Sequence, residues 1–228
     1  MPRYYPVFLD VAGRRCAVFG GNHEAERKAL YLLECGALPA IFSPEADMTD
    51  ALKGLAQAGK VEWQRRAYRQ GDLENVWIAI VADTSDPARN ERLFAEARSR
   101  NVPLNTLDVT PMCTFIAPAV VQRKDVTVAI STAGTSPALA RKLRVEMSSH
   151  DCLCMRWSEV GPVIAGARKE VRASSTVVCP EAWQDFLTPA WLTNAEKDSV
   201  SAKQSLVAGI KSRACEPCAP YGRCQKHG

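Results

Sequence analysis

The sequence lacks a long hydrophobic run, a strong excess of charge of one sign and a targeting segment. No apolar stretch approaches the roughly 18–20 residues that a membrane-spanning helix needs, so we expect no membrane partner. The N-terminal residues MPRYYPVFLD contain no basic segment followed by a long apolar stretch, which predicts no signal peptide and a cytoplasmic location. The 29 Lys and Arg residues exceed the 25 Asp and Glu residues by only 4. So small a surplus argues against a nucleic-acid partner, which usually requires a dense basic stripe.

The composition that remains is that of an ordinary globular protein. Hydrophobic residues make up 46% and charged residues 24% of the 228 positions, and a chain of this length can bury a substantial core. In a reducing compartment its nine cysteines are expected as thiols or metal ligands rather than as disulfides. Three cysteines in apolar contexts are predicted to be buried: Cys16, Cys35 and Cys113. The other six fall in the last third of the chain: Cys152, Cys154, Cys179, Cys215, Cys218 and Cys224.

Strand-like and helix-like segments alternate over the first 112 residues. The clearest strand is VWIAIVA, residues 76–82, whose apolar residues do not alternate with polar ones, as expected when helices cover both faces. Such alternation predicts a parallel sheet with right-handed crossovers, and therefore a Rossmann-like domain. The predicted strands are 14–19, 38–43, 61–63, 76–82 and 102–108, and the predicted helices are 24–35, 48–59 and 87–100.

The pattern changes after residue 112. Two strands, 115–121 and 126–130, are separated by a polar turn and followed by a loop of small residues. A helix over 137–148 follows, with Pro137 in its first turn and Ser136 as the expected N-cap. The remainder is predicted to be helical over 158–173, 180–192 and 203–214.

The first motif is the glycine-rich turn VFGGNHEAERK, which connects the first strand to the first helix. Glycine permits the turn and a close approach of the backbone, and the helix N-terminus offers free N–H groups to a pyrophosphate. Gly20, Asn22 and Ala25 match the dinucleotide fingerprint incompletely, so a plain strand–helix turn remains the alternative. Glu45 is a candidate for the ribose hydroxyl after the second strand, although Ser43 stands at the strand tip. The choice between NAD and NADP stays open.

The second motif is NTLDVTPMCTFIAP, in which Asp108 closes a strand at the ligand-binding edge of the predicted sheet. A carboxylate there can act as a general base or orient a substrate. An ordinary turn or cap aspartate is the alternative.

The third motif is AISTAGTSPALARKLR, where hydroxyl side chains lie just ahead of a helix. N–H groups, hydroxyl donors and the helix dipole together suit a phosphate or a carboxylate. Simple N-capping would explain Ser136 but not four hydroxyls. The predicted anion-binding residues are Ser131, Thr132, Gly134, Thr135 and Ser136.

The fourth motif is the C-terminal tail, with Cys215, Cys218, Cys224 and His227. Thiolates and an imidazole at these spacings suit zinc, and three thiolates suit an iron–sulfur cluster. Cys152 and Cys154 would be additional ligands. An oxidisable tail without metal is the alternative.

These segments, in this order, resemble the precorrin-2 dehydrogenase and sirohydrochlorin ferrochelatase family, which forms the N-terminal module of siroheme synthase. The resemblance covers about residues 4–147 and is carried above all by the third motif. It implies NAD-dependent oxidation of precorrin-2 to sirohydrochlorin, with ferrous iron as a second substrate in members that also make siroheme. It also implies a homodimer. The implied α/β architecture is a Rossmann-like domain at 1–112, a small α/β dimerisation and substrate-binding segment at 113–150, and a helical C-terminal domain at 151–228.

The resemblance also assigns roles to individual residues. The important aspartate of the family matches Asp108, and its functional serine falls on Thr132. The expected cofactor-binding residues lie in the glycine-rich turn and in the loops after the second and fourth strands. They are Gly20, Gly21, Asn22, His23, Glu24, Ser43, Pro44, Glu45 and Thr84.

The chain departs from the family pattern at three places. Asn22 stands where a third glycine is usual, Glu24 where a small apolar residue is usual, and Ala133 where the first of two glycines is usual. A tetrapyrrole- or metal-binding protein without dehydrogenase activity is therefore the alternative function. A dehydrogenase acting on another substrate is a third possibility.

Overall fold

The computed structural model describes residues 4–133, 135–149, 152–174, 176 and 178–213. The chain divides into two compact units, with the boundary between Ala117 and Pro118. Among the described residues, no helix is both long and apolar enough to cross a membrane.

The first unit is a five-stranded parallel sheet with helices on both faces, which confirms the predicted Rossmann-like fold. Its strand order is β3-β2-β1-β4-β5. From β1, the strands β2 and β3 extend the sheet toward one side, whereas β4 and β5 extend it toward the other, so the switch point lies between β1 and β4. The strands are β1 (Arg15–Phe19), β2 (Leu38–Phe42), β3 (Glu62–Gln64), β4 (Ile78–Val81) and β5 (Leu104–Thr106). The helices are α1 (His23–Glu34), α2 (Asp50–Gln57) and α3 (Pro87–Arg100), with short 3-10 helices at Glu45–Asp47 and Thr110–Met112.

Two separate cores explain why the central strands are apolar without alternation. Successive side chains of a strand point to opposite faces of the sheet. In β1, Val18 packs with Ala25 and Ala29 of α1 on one face, whereas Phe19 packs with Leu93 of α3 on the other. Both faces are covered, so every residue of β1 and β2 after the first, and every residue of β4, is buried.

The second unit joins a small α/β segment to a helical bundle. Strands β6 (Ala119–Arg123) and β7 (Val126–Ile130) form an antiparallel pair. The core of the bundle contains Ala167, Leu192, Leu206 and Ile210. The helices are α4 (Pro137–Met147), α5 (Leu153–Arg156), α6 (Gly161–Ala173), α7 (Pro180–Phe186), α8 (Pro189–Lys197) and α9 (Ser199–Lys211), with a 3-10 helix at Trp157–Val160.

Several predicted boundaries were wrong for local reasons. The predicted strand 115–121 begins only at Ala119, because the amides of Thr114 and Phe115 instead bond to the carbonyl of Leu104 on the edge strand β5. The single helix predicted over 180–192 is two helices. Thr188 caps α8 by accepting from the amide of Trp191, and Pro189 takes the first position, where the missing N–H costs nothing.

Two cysteine predictions were also wrong. Cys35, predicted to be buried, is exposed at the end of α1. Cys152 and Cys154, predicted as thiols or additional metal ligands, form a disulfide with each other.

Candidate nucleotide and substrate sites

The residues of the first unit that are predicted to bind a nucleotide all lie at one edge of the sheet. Phe19 pairs with both Phe42 and Val81, and Val81 pairs with Thr106. The chain therefore leaves β1, β2, β4 and β5 side by side, at Gly20, Ser43, Ala82 and Leu107. We call this the carboxyl edge; ligands bind at this edge in open α/β sheets.

Gly20 and Gly21 allow the loops at the carboxyl edge to approach each other. Gly20 has a φ of +124°, and a Cβ there would lie 2.9 Å from the backbone nitrogen of Asp83. A Cβ on Gly21 would lie 2.5 Å from the Oγ of Ser43. The glycines therefore bring three loops of the protein together, a role the sequence pattern alone did not indicate.

Asn22 is the N-cap of α1 and also bridges two strand ends. Its Oδ1 accepts from the amide of Ala25 at 3.0 Å, and its Nδ2 donates to the carbonyl of Ala82 at 3.2 Å. Its φ of −75° is ordinary, so this position does not require glycine. Within the described chain, the amides of His23 and Glu24 have no acceptor. Two N–H donors at the positive end of the helix thus remain available to an anion.

The carboxylate of Glu24 is already paired. It accepts from Arg27, one turn along α1, at 2.5 Å. His23 lies 3.6 Å from the carboxylate of Glu26. The negative charge that Glu24 adds beside the helix N-terminus is therefore opposed by a neighbouring guanidinium.

The loop after β2 contains one buried and two exposed candidates. Ser43 is only 1% exposed, and its hydroxyl donates to the carbonyl of Pro44 at 3.1 Å. Pro44 and Glu45 are exposed. The carboxylate of Glu45 lies 3.7 Å from the guanidinium of Arg65. Of the three predicted residues in this loop, Glu45 is thus the one that presents a charged group.

The loop after β4 is held by Arg89. Its guanidinium lies 3.0 Å from the carboxylate of Asp83 and donates to the carbonyl of the same residue at 2.5 Å. Burial alone would raise the pKa of Asp83, but hydrogen bonds from Ser85 and Arg89 outweigh burial and hold it below its ordinary value. The half-buried Thr84 follows in this fixed loop.

Asp108 lies two residues beyond β5, with its side chain exposed. The amide of Leu107 still bonds to the carbonyl of Val81 at 3.0 Å, which fixes the chain beside β4. Asp108 itself has a φ of +58°, a conformation that aspartate tolerates better than most residues. Among the described residues its carboxylate has no partner. It is therefore an available acceptor at the carboxyl edge.

The hydroxyl loop at 131–136 belongs to the second unit and is organised by its own side chains. The hydroxyl of Thr132 accepts from the amide of Ser136 and donates to its carbonyl, at 3.2 and 3.0 Å. Ser136 caps α4 by accepting from Leu139 at 3.1 Å. Ser131 accepts from Ala133, which has a φ of +51°. Gly134 lies outside the described residues, and Thr135 is exposed.

The predicted metal ligands Cys215, Cys218, Cys224 and His227 lie outside the described residues. Within the part of the chain that the structure describes, no three His, Cys, Asp or Glu side chains are placed to hold a metal ion.

Sequence reasoning missed Arg65, Trp63 and Arg89. Arg65 follows the end of β3, and because Gln64 pairs with Phe42 it lies beside Ser43. Trp63 donates its indole N–H to the carbonyl of Ser43 at 3.0 Å. Arg65 and Trp63 would have been identified if residue 65 had been interpreted as the end of a strand adjacent to β2. That interpretation requires the order of the strands in the sheet.

Comparison with known families matches two models in succession along the chain. A model described as putative NAD(P)-binding matches residues 7–119. A model described as sirohaem biosynthesis protein central matches residues 123–150.

Curated relatives are siroheme synthases. That of Photorhabdus laumondii is 36% identical over 146 residues, covering 64% of this chain and 30% of the relative. That of Azotobacter vinelandii is 34% identical over 222 residues, covering 92% of this chain and 46% of the relative. The chain thus spans less than half the length of these relatives.

Among solved structures, the chain is similar to SirC, a precorrin-2 dehydrogenase. The TM-score is 0.66 at 22% sequence identity, with 92% of this chain and 100% of that chain covered. At this identity the similarity shows the fold.

Proposed function

We propose that this chain, which belongs to the siroheme synthase family, oxidises precorrin-2 to sirohydrochlorin with NAD+. The reaction removes two electrons and two protons from the macrocycle. Both electrons leave with one proton as a hydride, which converts NAD+ to NADH, and the second proton is released. The observation that carries the proposal is the carboxyl edge of the first unit. There the carboxylate of Asp108 and two helix amides, none of which has a partner among the described residues, lie on loops at the same edge of the sheet, after β5 and β1, with β4 between those strands.

The residues at this edge fit a dinucleotide. The amides of His23 and Glu24 are donors for the pyrophosphate, and the positive end of α1 favours its charge. Arg27 opposes the negative charge of Glu24, which would otherwise repel it. When bound, NAD+ accepts the hydride. The two departures in the glycine-rich turn are therefore compatible with binding, since Asn22 leaves two amides available and Glu24 is paired.

Asp108 is the residue we assign to proton transfer. Its carboxylate is exposed and unpartnered within the described chain, so it can accept the proton that leaves the macrocycle. In members of the family that also insert iron, the ferrous ion is a second substrate, and the same carboxylate would help it enter.

Precorrin-2 carries many carboxylates, and the loop 131–136 is the proposed site for some of them. Hydroxyls and amides at the start of α4 are suitable donors for carboxylate oxygens. The internal hydrogen bonds of Thr132 and Ser136 fix the loop before a substrate arrives.

The test is an anaerobic assay of purified protein with precorrin-2, with and without NAD+, followed by the absorbance of sirohydrochlorin. We expect product only when NAD+ is present. Asp108→Asn removes the charge but retains the side-chain size and the tolerance of positive φ. We expect it to slow the reaction about a hundredfold or more, because general-base catalysis typically contributes 10²–10⁴-fold, with an unchanged thermal midpoint.

Two outcomes would contradict this proposal. Wild-type rates for Asp108→Asn would remove Asp108 from the mechanism. No product with either NAD+ or NADP+, in protein that still binds the tetrapyrrole, would favour the alternative of a binding protein without dehydrogenase activity. Ferrous iron added after product has formed tests chelation in the same cuvette.

A further inference from the structure

An open cavity on helix α6 of the second unit is used by none of the roles assigned above. Its volume is about 310 Å³, at the lower end of the range for small-molecule sites, about 300–1,000 Å³. The residues that line it are all exposed, and we call them the basic face. They are Ala165, Arg168, Lys169 and Arg172.

Helical periodicity brings these four residues together. Positions i, i+3, i+4 and i+7 share one side of an α-helix, and residues 165, 168, 169 and 172 have this spacing. The opposite side of α6 is apolar, since Ala167 and Val171 are buried in the core of the bundle. The basic face is therefore the side of α6 that points away from that core.

The positive charge of the basic face is not neutralised within the described part of the chain. Arg168, Lys169 and Arg172 have no acidic partner among the described residues. The single acidic residue of α6 is Glu170, and its carboxylate lies 3.0 Å from Lys203 of α9 instead. Three cations within two turns of one helix thus remain available to an anionic ligand.

The basic face combines these cations with an apolar floor. Ala165 is small, and the long side chains that line the same cavity present methylene groups beside it. A guanidinium can both stack on a flat ring and pair with a carboxylate in a bidentate manner. A flat ring that carries carboxylate arms uses both properties, whereas a small inorganic anion leaves the floor uncovered.

We propose that the basic face is an accessory tetrapyrrole site, which binds one pyrrole ring of a polycarboxylated tetrapyrrole through its acidic arms. The inference rests on the proposed function, because that function supplies the ligand: precorrin-2 and sirohydrochlorin carry acidic arms on every pyrrole ring. No residue of the loop 131–136 lines the cavity, so this site is additional to the one proposed there. The argument for this occupant is charge complementarity together with the apolar floor.

The experiment uses the full chain and uroporphyrin III, a stable octacarboxylate tetrapyrrole. Equilibrium dialysis followed by porphyrin absorbance gives the number of molecules bound per chain and their dissociation constants. The test variant removes the charge of the basic face. It combines Arg168→Gln, Lys169→Gln and Arg172→Gln.

A matched control removes the same charge elsewhere. Its three positions are exposed and lie after α2, in α3 and at the end of α9, so the net charge of the protein falls equally in both variants. The control combines Lys60→Gln, Arg92→Gln and Lys211→Gln. Two further probes separate ring from charge: mesoporphyrin, a dicarboxylate tetrapyrrole, and citrate, which has carboxylates but no ring.

We expect the test variant to bind uroporphyrin at one site per chain at least about tenfold more weakly than the wild type, because its charged contacts are lost. We expect the control to stay within about threefold, because scattered exposed charges are screened. Mesoporphyrin should bind the wild type at least about tenfold more weakly than uroporphyrin, and citrate at an equal concentration should not displace uroporphyrin.

The outcomes separate the inference from the proposed function. Suppose that the wild type oxidises precorrin-2. If it then binds no uroporphyrin, or if the test variant binds it as tightly, or if the control loses as much affinity, the accessory site is overturned and the proposed function stands. Displacement by citrate, or equal binding of mesoporphyrin, would likewise overturn the assignment to a polycarboxylated tetrapyrrole. If the wild type forms no sirohydrochlorin and binds no tetrapyrrole, the proposed function is contradicted and the inference falls with it.

Discussion

At the scale of single residues, Ala133 adopts a conformation that alanine disfavours. Its φ of +51° lies in the left-handed region, which costs a non-glycine residue about 1–2 kcal/mol. Glycine avoids that cost but loses more conformational freedom on folding, about 0.5–1 kcal/mol. We expect Ala133→Gly to raise the free energy of unfolding by about 0.5–1 kcal/mol, measured by urea unfolding followed by circular dichroism.

Ala129→Gly is the matched control for that substitution. Ala129 is an exposed residue of β7, where glycine only adds flexibility to the unfolded chain and weakens the strand. It should lower stability by a similar amount. A destabilised Ala133→Gly variant would show that the left-handed conformation is not strained in solution.

At this scale the sequence marks positions but does not show the contacts that the side chains there make. It singled out Asn22 and Asp108, because the fingerprint and the end of β5 mark them. It did not show that a Cβ on Gly21 would collide with Ser43, nor that Glu24 is paired with Arg27. Such contacts depend on the distance between loops, and a linear motif does not contain that distance.

At the scale of elements, the connection from β3 to β4 is held without a helix. Glu96 of α3 is only 2% exposed. Its carboxylate accepts from the hydroxyl of Tyr68 at 2.5 Å and from the amide of Gly71 at 3.1 Å, and it is paired with Arg100 at 2.8 Å. One buried carboxylate thus satisfies donors from the loop and from its own helix.

Glu96→Gln is predicted to loosen this loop. The substitution keeps the shape but removes the charge and places an amide N–H among buried donors. We expect the free energy of unfolding to fall by about 2–4 kcal/mol, because the broken network is buried and charged. Glu91→Gln, an exposed position of the same helix, should change it by less than about 0.5 kcal/mol. Equal effects in urea unfolding would contradict a structural role for Glu96.

Element boundaries were predictable where a capping side chain marks them. Asp86 begins α3 by accepting from the amide of Arg89, and Ser136 begins α4 as expected. The division between α7 and α8 was missed, since apolar periodicity continues across it and only the Thr188-Pro189 pair reveals it. The loop anchored by Glu96 was also missed, because a single acidic residue in a helix does not indicate a distant loop as its partner.

At the scale of the whole molecule, α4 leaves apolar side chains uncovered. Leu139 is 49%, Leu143 37% and Val145 53% exposed, and α4 buries none of its described residues completely. A two-stranded sheet is also marginal by itself. These features support the predicted homodimer, since uncovered apolar surface of this kind marks an interaction site.

The dimer prediction is tested by sedimentation velocity at micromolar concentration. We expect wild-type protein to sediment as a dimer and Leu143→Glu to shift it toward monomer, because a charge would be buried without a partner. Val200→Glu is the control, at a position of α9 that is 66% exposed. A monomeric wild type, or an equal shift in both variants, would contradict the prediction.

The fold class was predictable because apolar runs alternate with helical periodicity over the first 112 residues. The strand order was not, since alternation does not specify which edge of the sheet each crossover reaches. The sequence therefore predicts that the sheet has a ligand-binding carboxyl edge, but it does not predict which residues are neighbours along that edge.

The strand order also has a consequence for the growing chain on the ribosome. β1 pairs with β2, which follows soon in the sequence, but its other edge pairs with β4, where Cys16 lies opposite Ile78. That edge stays open until Val81 has left the exit tunnel. Because the side chain of Asn22 bonds to the carbonyl of Ala82, 60 positions later in the sequence, the start of α1 can be tied to the end of β4 only after that strand has emerged.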